Sequence, residues 1–309
     1  MSEAARFPDD GQTVKGAAVV APLVSVIIPV WNSPDYIRHC LAALEQQTLP
    51  RDQYEIVVVD NGSTDDTASI ARAVPGIIVL EETRPGSYAA RNRALKEVRG
   101  TFVAFTDADC LPAPDWLEAA LSAARSHPEF GVLAGRIELF DEALPDGQAC
   151  GDYERIFSFP QAFAERGNCA TANWVSRKDV FDRLGGFDAA LKSGGDRQMA
   201  LRIRDSGFPL IYVPEMLVRH PVRASWTELV RKRRRLSGGR WDRTRRPARL
   251  LRVLGATLYD AGRRLRRAAL APGLSIGRRL GVMRLTLALS AVAVGEFLRL
   301  AGGQRAARD

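Results

Sequence analysis

The sequence is poor in cysteine, in long apolar runs and in aromatic residues, which make up 7% of its 309 positions. Its four cysteines lie far apart, and no two have Cys-x-x-Cys spacing, which argues against a zinc site and against a small disulfide scaffold. Neither a Gly-x-x-x-x-Gly-Lys-Ser/Thr loop nor a Gly-x-Gly-x-x-Gly turn after the first apolar segment is present. These absences argue against a P-loop NTPase and against a dinucleotide-binding fingerprint. No apolar stretch of signal-peptide length precedes Val19, so we expect a cytoplasmic protein in a reducing compartment.

Charge is distributed unevenly along the chain. The formal net charge is +8, but the 91 residues from Arg219 onward carry 23 Lys and Arg against 5 Asp and Glu, a net +18, which leaves −10 on the rest. A shift of this size indicates a boundary, placed near Pro221. The sequence therefore predicts a flexible arm at 1–21, a folded domain at 22–222 and a basic helical tail at 223–309.

Apolar, β-branched segments alternate with helical patterns in the first hundred residues. This alternation predicts βαβ units, and hence an α/β fold with a mainly parallel sheet flanked by helices. The predicted strands are Leu23–Pro29, Glu55–Val59, Ile77–Leu80 and Thr101–Thr106. The predicted helices are 33–47, Asp65–Ala73 and Ser87–Val98.

Acidic residues directly follow two of these strands. Asp60 stands between an apolar strand and a tight Asn-Gly turn, and Asp107 and Asp109 follow another strand. Because ligands of open α/β sheets bind beyond the carboxyl ends of the strands, we expect these carboxylates in a ligand crevice. If the strand continued to residue 109, alternation would direct Asp107 and Asp109 to one face, where both could approach Mg2+ or Mn2+. For Asp60, helix capping is the alternative.

Six motifs together resemble the family 2 glycosyltransferases of GT-A fold, in that family's order and spacing across residues 22–222. The motifs are Ser25–Asn32 (SVIIPVWN), Val58–Thr67 (VVDNGSTDDT), Pro85–Asn92 (PGSYAARN), Thr106–Asp109 (TDAD), Leu184–Asp188 (LGGFD) and Gly194–Asp196 (GGD). The resemblance implies a GT-A, Rossmann-like fold and a nucleotide-sugar donor. It places Asp60 near the base, Asp107 and Asp109 toward the ribose and a metal-bound diphosphate, and Arg91 near the phosphates. A simple surface salt bridge is the alternative for Arg91. The other implied donor contacts are Pro29, Val30, Trp31 and Ala108.

Asp196 is the residue that we expect to act as catalytic base. It is predicted in the first turn of a helix, where the helix N-terminus favours a charged carboxylate. The family usually has Glu-Asp at this point, whereas this chain has Gly195 before Asp196, which leaves the acceptor contact of that glutamate in doubt. A helix N-cap is the alternative. His220 follows a predicted strand at Leu210–Val213, and in some relatives a histidine there completes the metal site with the two aspartates. A plain surface or second-shell histidine is the alternative.

The basic tail carries a partial motif and an amphipathic pattern. Ser237–Trp241 (SGGRW) resembles the Gln-x-x-Arg-Trp signature of processive relatives, but serine replaces glutamine, so processive synthesis is not supported. Arg240 is a candidate diphosphate contact, and Trp241 a candidate acceptor contact. A leucine-rich stripe set among arginines is typical of a basic helix on an anionic membrane. The stripe is Leu251, Leu254, Leu258, Ala261 and Leu265. The apolar run Leu285–Gly295 has 11 residues, fewer than the roughly 20 of a spanning helix.

The resemblance implies a glycosyltransferase, more narrowly a hexosyltransferase, and with Asp196 as base we expect an inverting transfer that uses Mn2+ or Mg2+. The donor is a UDP- or GDP-sugar, and the acceptor is a glycan, a lipid-linked or another hydroxyl compound, as in envelope glycan synthesis. We expect peripheral attachment to the inner face of the cell membrane and no nucleic-acid partner. A helical lid packed on the domain is the alternative for the tail. The alternative functions are a metal-dependent nucleotidyltransferase and a nucleic-acid-binding protein that uses the basic tail.

Overall fold

A computed structural model describes residues 21–141, 148–244 and 247–304. The predicted flexible arm lies outside these ranges except for its last residue. Within them, eight strands form one sheet: β1 (Val24–Val30), β2 (Tyr54–Asp60), β3 (Ile77–Glu81), β4 (Phe102–Phe105), β5 (Leu111–Pro112), β6 (Val132–Phe140), β7 (Trp174–Arg177) and β8 (Leu210–Pro221).

The same part of the chain forms ten α-helices and two short 3-10 segments, Arg51–Gln53 and Gln161–Arg166. The helices are α1 (Pro34–Glu45), α2 (Thr67–Ala73), α3 (Ser87–Leu95), α4 (Trp116–Ser126), α5 (Gln148–Phe157), α6 (Lys178–Leu184), α7 (Gly195–Asp205), α8 (Trp226–Arg243), α9 (Arg249–Ala269) and α10 (Ile276–Ala301). The strands and helices predicted for residues 22–106 are all present, with ends shifted by no more than three residues.

The sheet confirms the α/β fold and adds antiparallel strands to the predicted parallel ones. The strand order is β3-β2-β1-β4-β7-β6-β8-β5. β1 pairs in parallel with β2 and β4, and β2 pairs in parallel with β3, whereas β7 is antiparallel to both β4 and β6. The sheet is therefore mixed, because the βαβ units end at β4. The strand order reverses at β1, so the carboxyl ends of β1, β2 and β4 surround the crevice where a ligand is expected.

The chain divides into two compact units, which are described separately. The first contains the described residues through Ile137, together with Gln161–Phe187 and Arg197–Val218. The second contains the described residues of Glu138–Pro160, Asp188–Asp196 and those from Arg219 onward. The basic tail therefore shares its unit with two earlier segments, and this unit begins its last segment two residues before the predicted boundary at Pro221.

In the first unit, an aromatic cluster anchors the sheet. All residues of β1 and β2 are buried, as their β-branched composition predicts. The ring of Phe105 at the end of β4 lies 5.4 Å from Phe181 and 5.5 Å from Phe187, centroid to centroid. Asn92 holds the backbone of Phe187 through two hydrogen bonds of 2.7 and 2.9 Å. A Cβ atom on Gly186 would lie 2.6 Å from Asn92 Oδ1, which explains the second glycine of the LGGFD motif.

In the second unit, α5, α8, α9 and α10 pack around two apolar clusters. The first is built on Tyr153, Leu229, Ala268, Val282 and Leu289, and the second on Val253, Ala293, Phe297 and Leu300. Burial of these residues stabilises the helices by roughly 25 cal/mol per Å2 of apolar surface. The predicted helical nature of the tail is confirmed.

The predicted stripe lies along one side of α9 but is unevenly buried, because Ala261 is buried while Leu251 and Leu258 are 72% and 70% exposed. The face that packs inward carries Val253, Thr257, Ala261 and Ala268. One detail of the predicted tail is wrong, because the helix that contains the short apolar run is longer than the run. α10 has 26 residues, and an 18-residue window in it reaches a mean hydropathy of 1.5, so by length and composition it is able to span a membrane.

Candidate functional site

Asp60 ends β2 as a buried carboxylate with one oxygen unused. The residue is 6% exposed, and Oδ2 accepts a hydrogen bond from the Ser63 backbone N–H at 3.2 Å. Within the described ranges, Oδ1 is buried and has no hydrogen-bond partner. Asp60 does not cap α2, whose N-cap residue is Asp66. A buried acceptor without a donor costs about 1–3 kcal/mol, so this oxygen is suited to receive a hydrogen bond from a ligand.

Four hydrogen bonds of two asparagines, which the sequence analysis missed, shape the loops around Asp60. Asn32, with φ 44°, accepts from the Thr64 backbone N–H at 2.8 Å, which joins the loops after β1 and β2. Asn61 donates to the carbonyl oxygens of Glu82 and Arg84 and accepts from the Gly86 N–H at 2.6 Å. One indication of this role is present in the sequence, because asparagine tolerates the left-handed backbone region that Asn32 occupies. Trp31 is 49% exposed on this loop, whereas Pro29 and Val30 are buried in β1.

Arg91 and Asp107 form an ion pair next to this loop region. Arg91 is 2% exposed on α3, and its Nη2 donates to Asp107 Oδ1. Its Nε is buried and, among the described residues, lacks a hydrogen-bond partner. The alternative of a surface salt bridge therefore does not describe this arginine, because the guanidinium is buried. A buried cation with a donor to spare favours an anionic ligand.

Asp107, Ala108 and Asp109 form a turn rather than a strand extension. β4 ends at Phe105, and the Cys110 backbone N–H donates to the Asp107 carbonyl at 3.1 Å. The alternation argument for the two aspartates is therefore wrong. Both carboxylates nevertheless lie close to the buried thiols of Cys40 and Cys110. Burial, and then the charges of Asp109 and Asp107, raise the pKa of both thiols above its ordinary value.

This turn therefore presents carboxylate oxygens beside protonated thiols. Hard divalent cations such as Mg2+ and Mn2+ prefer oxygen ligands, and one or two protein carboxylates are their usual share of such a site. Asp107 gives one oxygen to Arg91, and Asp109 is half-buried. The donor set fits a divalent cation that also contacts ligand phosphates.

In the second unit, Asp196 lies in the first turn of α7, after a loop held against α8. Arg243 donates to the Ser193 carbonyl oxygen, and Lys192 lies 3.6 Å from the Asp242 carboxylate. Gly239 of α8 faces Ser193 closely enough that a Cβ atom would lie 2.0 Å from Ser193 Oγ. Part of the SGGRW segment thus supports the loop that precedes Asp196, a role that sequence spacing did not reveal.

Gly239→Ala is expected to lower the free energy of unfolding by about 1–3 kcal/mol, because the added methyl group collides with Ser193. The direction is diagnostic, since alanine normally stabilises a helix by about 1 kcal/mol relative to glycine. Gly255→Ala in α9 is the matched control, because its Cβ would meet no atom within 4 Å. Chemical denaturation measures both variants. A Gly239→Ala protein as stable as wild type would show that this close approach is wrong.

His220 lies in β8 and belongs to the second unit. Its Nδ1 is 2.6 Å from the Pro221 carbonyl oxygen, and its ring centroid lies 4.8 Å from that of Phe159. Because a carbonyl only accepts, Nδ1 carries the proton, and Nε2 of the neutral ring keeps the lone pair that a metal requires. The role predicted for His220 stays a prediction.

Arg240 and Trp241 both have partners inside the second unit. Arg240 Nη2 donates to Asp260 Oδ2 at 2.6 Å, and the Trp241 ring stacks on Phe297 with centroids 6.4 Å apart. The Arg249 guanidinium also lies 5.1 Å from the Trp241 ring centroid. These contacts tie α8 to α9 and α10. The predicted diphosphate contact of Arg240 and the acceptor contact of Trp241 stay predictions.

Residues 25–185 match the family model described as Glycosyl transferase family 2. The chain is also similar to the Glycosyltransferase AglE of Haloferax volcanii, with 36% identity over 228 residues that cover 71% of this chain and 73% of the relative.

Solved structures show the same fold at lower identity. A mannosyltransferase from Pyrobaculum calidifontis, solved in complex with GDP-Man and Mn2+, superposes with a TM-score of 0.59 at 24% identity, covering 89% of this chain and 87% of the other. TarS residues 1–349 from S. aureus, solved with UDP, superpose with a TM-score of 0.51 at 18% identity, covering 91% and 92%. Both likenesses support the GT-A fold.

Proposed function

The chain belongs to glycosyl transferase family 2, and we propose that it transfers a sugar from a UDP- or GDP-sugar to a hydroxyl acceptor with inversion at the anomeric carbon. Membership of this family makes the protein a glycosyltransferase and decides against a nucleotidyltransferase. The hydroxyl acceptor, the inverted product and the absence of a nucleic-acid partner belong to the proposal.

The observation that carries the donor assignment is Oδ1 of Asp60, which is buried and has no hydrogen-bond partner among the residues that the structure describes. Uracil and guanine each present a ring N–H, and such a donor would satisfy this buried acceptor. Asn61 and Asn32 hold the two loops beside it, so the oxygen is fixed before the ligand arrives. Similar folds hold GDP-Man with Mn2+ and UDP, which fits a nucleotide at this position.

Asp107 and Asp109, with His220 as a third ligand, would hold a divalent cation. Bound there, the cation would neutralise charge on the departing nucleoside diphosphate. Arg91 would also neutralise charge on the diphosphate, because its guanidinium is buried and its Nε has no partner among the described residues. Its Nη2 donates to Asp107 and so orients that carboxylate. Charge stabilisation of this kind, arranged before the reaction, is commonly worth a factor of about 10^2–10^3 in turnover.

Asp196 would accept the proton of the acceptor hydroxyl as that oxygen attacks the anomeric carbon. The C–O bond to the sugar forms while the bond to the diphosphate breaks, and attack from the opposite side inverts the configuration. The position of Asp196 supports this role, since it lies in the first turn of α7 directly after a loop that α8 holds. The loop contacts of Arg243 and Gly239 keep this turn in place.

Asp60→Asn is expected to raise the Kd for UDP or GDP about tenfold, because an amide in this orientation offers at best one neutral acceptor in place of a charged one. Asp66→Asn, on the same loop and exposed, is the matched control and should stay within twofold of wild type. Isothermal titration calorimetry measures both. Equal affinities of wild type and Asp60→Asn would remove Asp60 from the donor site.

We also propose that the tail attaches the enzyme to an anionic membrane surface. Leu251 and Leu258 are exposed on α9 together with Tyr259, at 68% exposure. Exposed arginines share this helix: Arg252, Arg263, Arg266 and Arg267. Apolar and cationic side chains on one exposed helix suit an interface of anionic lipids, and each arginine near the surface contributes about 1 kcal/mol.

Wild type should therefore co-sediment with anionic liposomes, whereas little of it should co-sediment with neutral liposomes. The double variant Leu251→Asp with Leu258→Asp should lose most of this binding, whereas Ile78→Asp, an exposed apolar position of the first unit, should retain it. Equal partition between neutral and anionic liposomes would contradict the proposed attachment.

A further inference from the structure

The second unit contains a cavity of about 210 Å3 that none of the proposed site residues line. Helices α5, α8, α9 and α10 all contribute to its walls. One side is aromatic, formed by Tyr153, Phe157 and Phe159, and Leu229 and Leu289 add apolar surface. Phe159 has a φ of 49°, which is uncommon for a bulky residue, and its side chain lines the cavity.

Three cations line the same cavity, namely Lys232 and Arg233 of α8 and Arg264 of α9. The Arg264 guanidinium lies 4.9 Å from the Phe157 ring centroid, and its Nη1 donates to the Tyr153 hydroxyl at 2.7 Å. Arg233 Nε donates to the Leu289 carbonyl oxygen at 3.2 Å. Among the described residues, neither arginine forms an ion pair with a carboxylate. The hydrogen bonds that hold both arginines go to neutral groups, and Asp260, whose charge reaches Arg233, is itself paired with Arg240.

Glu154 is the carboxylate of the cavity wall, and it is already paired with two cations. Its side chain is 1% exposed and lies 2.8 Å from Lys232 Nζ and 3.2 Å from Arg223 Nη1. Burial lowers the pKa of Lys232 to about 8 despite this pairing. Glu154 is a single carboxylate beside the three cations that line the cavity, so the lining keeps a net positive charge that an anion would complement.

The size and the walls narrow the choice of anion. Pockets that hold whole small molecules measure about 300–1,000 Å3, so this smaller cavity suits a single group and the part of the ligand next to it. We propose that the cavity binds the phosphate of an amphiphilic phosphate ester, with Lys232, Arg233 and Arg264 facing the phosphate and the aromatic side facing the adjoining apolar chain. This site goes beyond the proposed sugar transfer and does not depend on it.

The test is calorimetric binding of water-soluble probes to the full chain, without nucleotide or metal. Farnesyl phosphate should bind at least about tenfold more tightly than either farnesol or inorganic phosphate, because each of these offers only one of the two chemistries. Arg264→Gln should raise the Kd for farnesyl phosphate about tenfold, and Arg233→Gln gives a second, independent loss of one cation. Arg266→Gln is the matched control, since it removes the same charge from an exposed position of α9.

An equal loss in Arg264→Gln and Arg266→Gln would overturn the site and indicate general attraction to the basic tail. Binding of farnesyl phosphate no tighter than that of inorganic phosphate would also overturn it. Thermal melting of each variant identifies losses that come from unfolding. Dihexanoyl phosphatidic acid distinguishes the sources of the phosphate: tighter binding of this probe assigns a membrane phospholipid, and tighter binding of farnesyl phosphate assigns an isoprenoid carrier. Because no donor is present, these results stand apart from those that test sugar transfer.

Discussion

Asp196→Asn is expected to lower kcat about 10^2- to 10^4-fold while the Kd for the nucleotide donor stays within twofold of wild type. The range is what a positioned general base commonly contributes to turnover. Asparagine is nearly isosteric with aspartate but cannot take a proton from the acceptor hydroxyl. A coupled assay of nucleoside diphosphate release in the presence of acceptor gives kcat, and calorimetry gives the Kd.

The same variant separates catalysis from a structural role at the start of α7. Because α7 begins at Gly195, Asp196 lies inside the helix and is not its N-cap residue, so the capping alternative is wrong. Asparagine is nearly the same size and also accepts hydrogen bonds at a helix start, so a structural role would leave both stability and turnover near wild type. Asp205→Asn, at the exposed end of α7, controls for the loss of one negative charge from this helix. If Asp196→Asn retained full turnover, another residue would have to act as the base.

Glu154→Gln is expected to lower the free energy of unfolding by about 3 kcal/mol, the lower end for breaking a buried ion pair. The lower end applies because the side chains of Lys232 and Arg223 are 22% and 25% exposed and so keep part of their hydration. Glutamine leaves both cations without their carboxylate. Urea denaturation at pH 7 measures the loss, and the exposed Glu165→Gln should change stability by less than about 0.5 kcal/mol.

The pH dependence gives a second measure of Glu154. Burial alone would raise the pKa of this carboxyl, but the charges of Lys232 and Arg223 hold it below its ordinary value of 4.5. A carboxyl whose pKa is lower in the folded than in the unfolded state stabilises the protein at a pH above its unfolded-state pKa. This contribution is lost as the pH falls through the folded-state pKa. Wild-type stability should therefore decline below pH 4.5 more steeply than that of Glu154→Gln. Parallel pH profiles of the two proteins would show that Glu154 is not stabilised by its cations.

Local sequence patterns were sufficient to predict the parallel part of the fold. β1, β2, β3 and β4 are short apolar runs separated by helices, and Asp60, Asp107 and Asp109 lie at strand ends as predicted. The antiparallel strands β6 and β7 were not predicted, because their pairing depends on contacts distant in sequence. The turn at Asp107–Asp109 was missed for a similar reason, since only the structure shows that β4 ends at Phe105.

The residues that hold the loops of the site in place could not be predicted from the sequence either. Asn61 and Asn92 read as ordinary turn and helix residues, yet each fixes a neighbouring backbone segment through its side-chain amide. Gly239 interrupts a helical pattern, and only the approach of Ser193 explains it. The tail was correctly predicted to be helical, but the face that α9 buries depends on its packing against α10, which periodicity alone did not give.

The central claim is that carboxylates at the strand ends hold a nucleotide-sugar for transfer, and release of nucleoside diphosphate tests it most directly. Wild type should release UDP from a UDP-sugar or GDP from a GDP-sugar in the presence of Mn2+, and chelation with EDTA should stop this release. Asp109→Ala, folded as judged by thermal melting, should reduce it at least about 100-fold. No release from any UDP- or GDP-sugar, or an unchanged rate in Asp109→Ala, would contradict the claim.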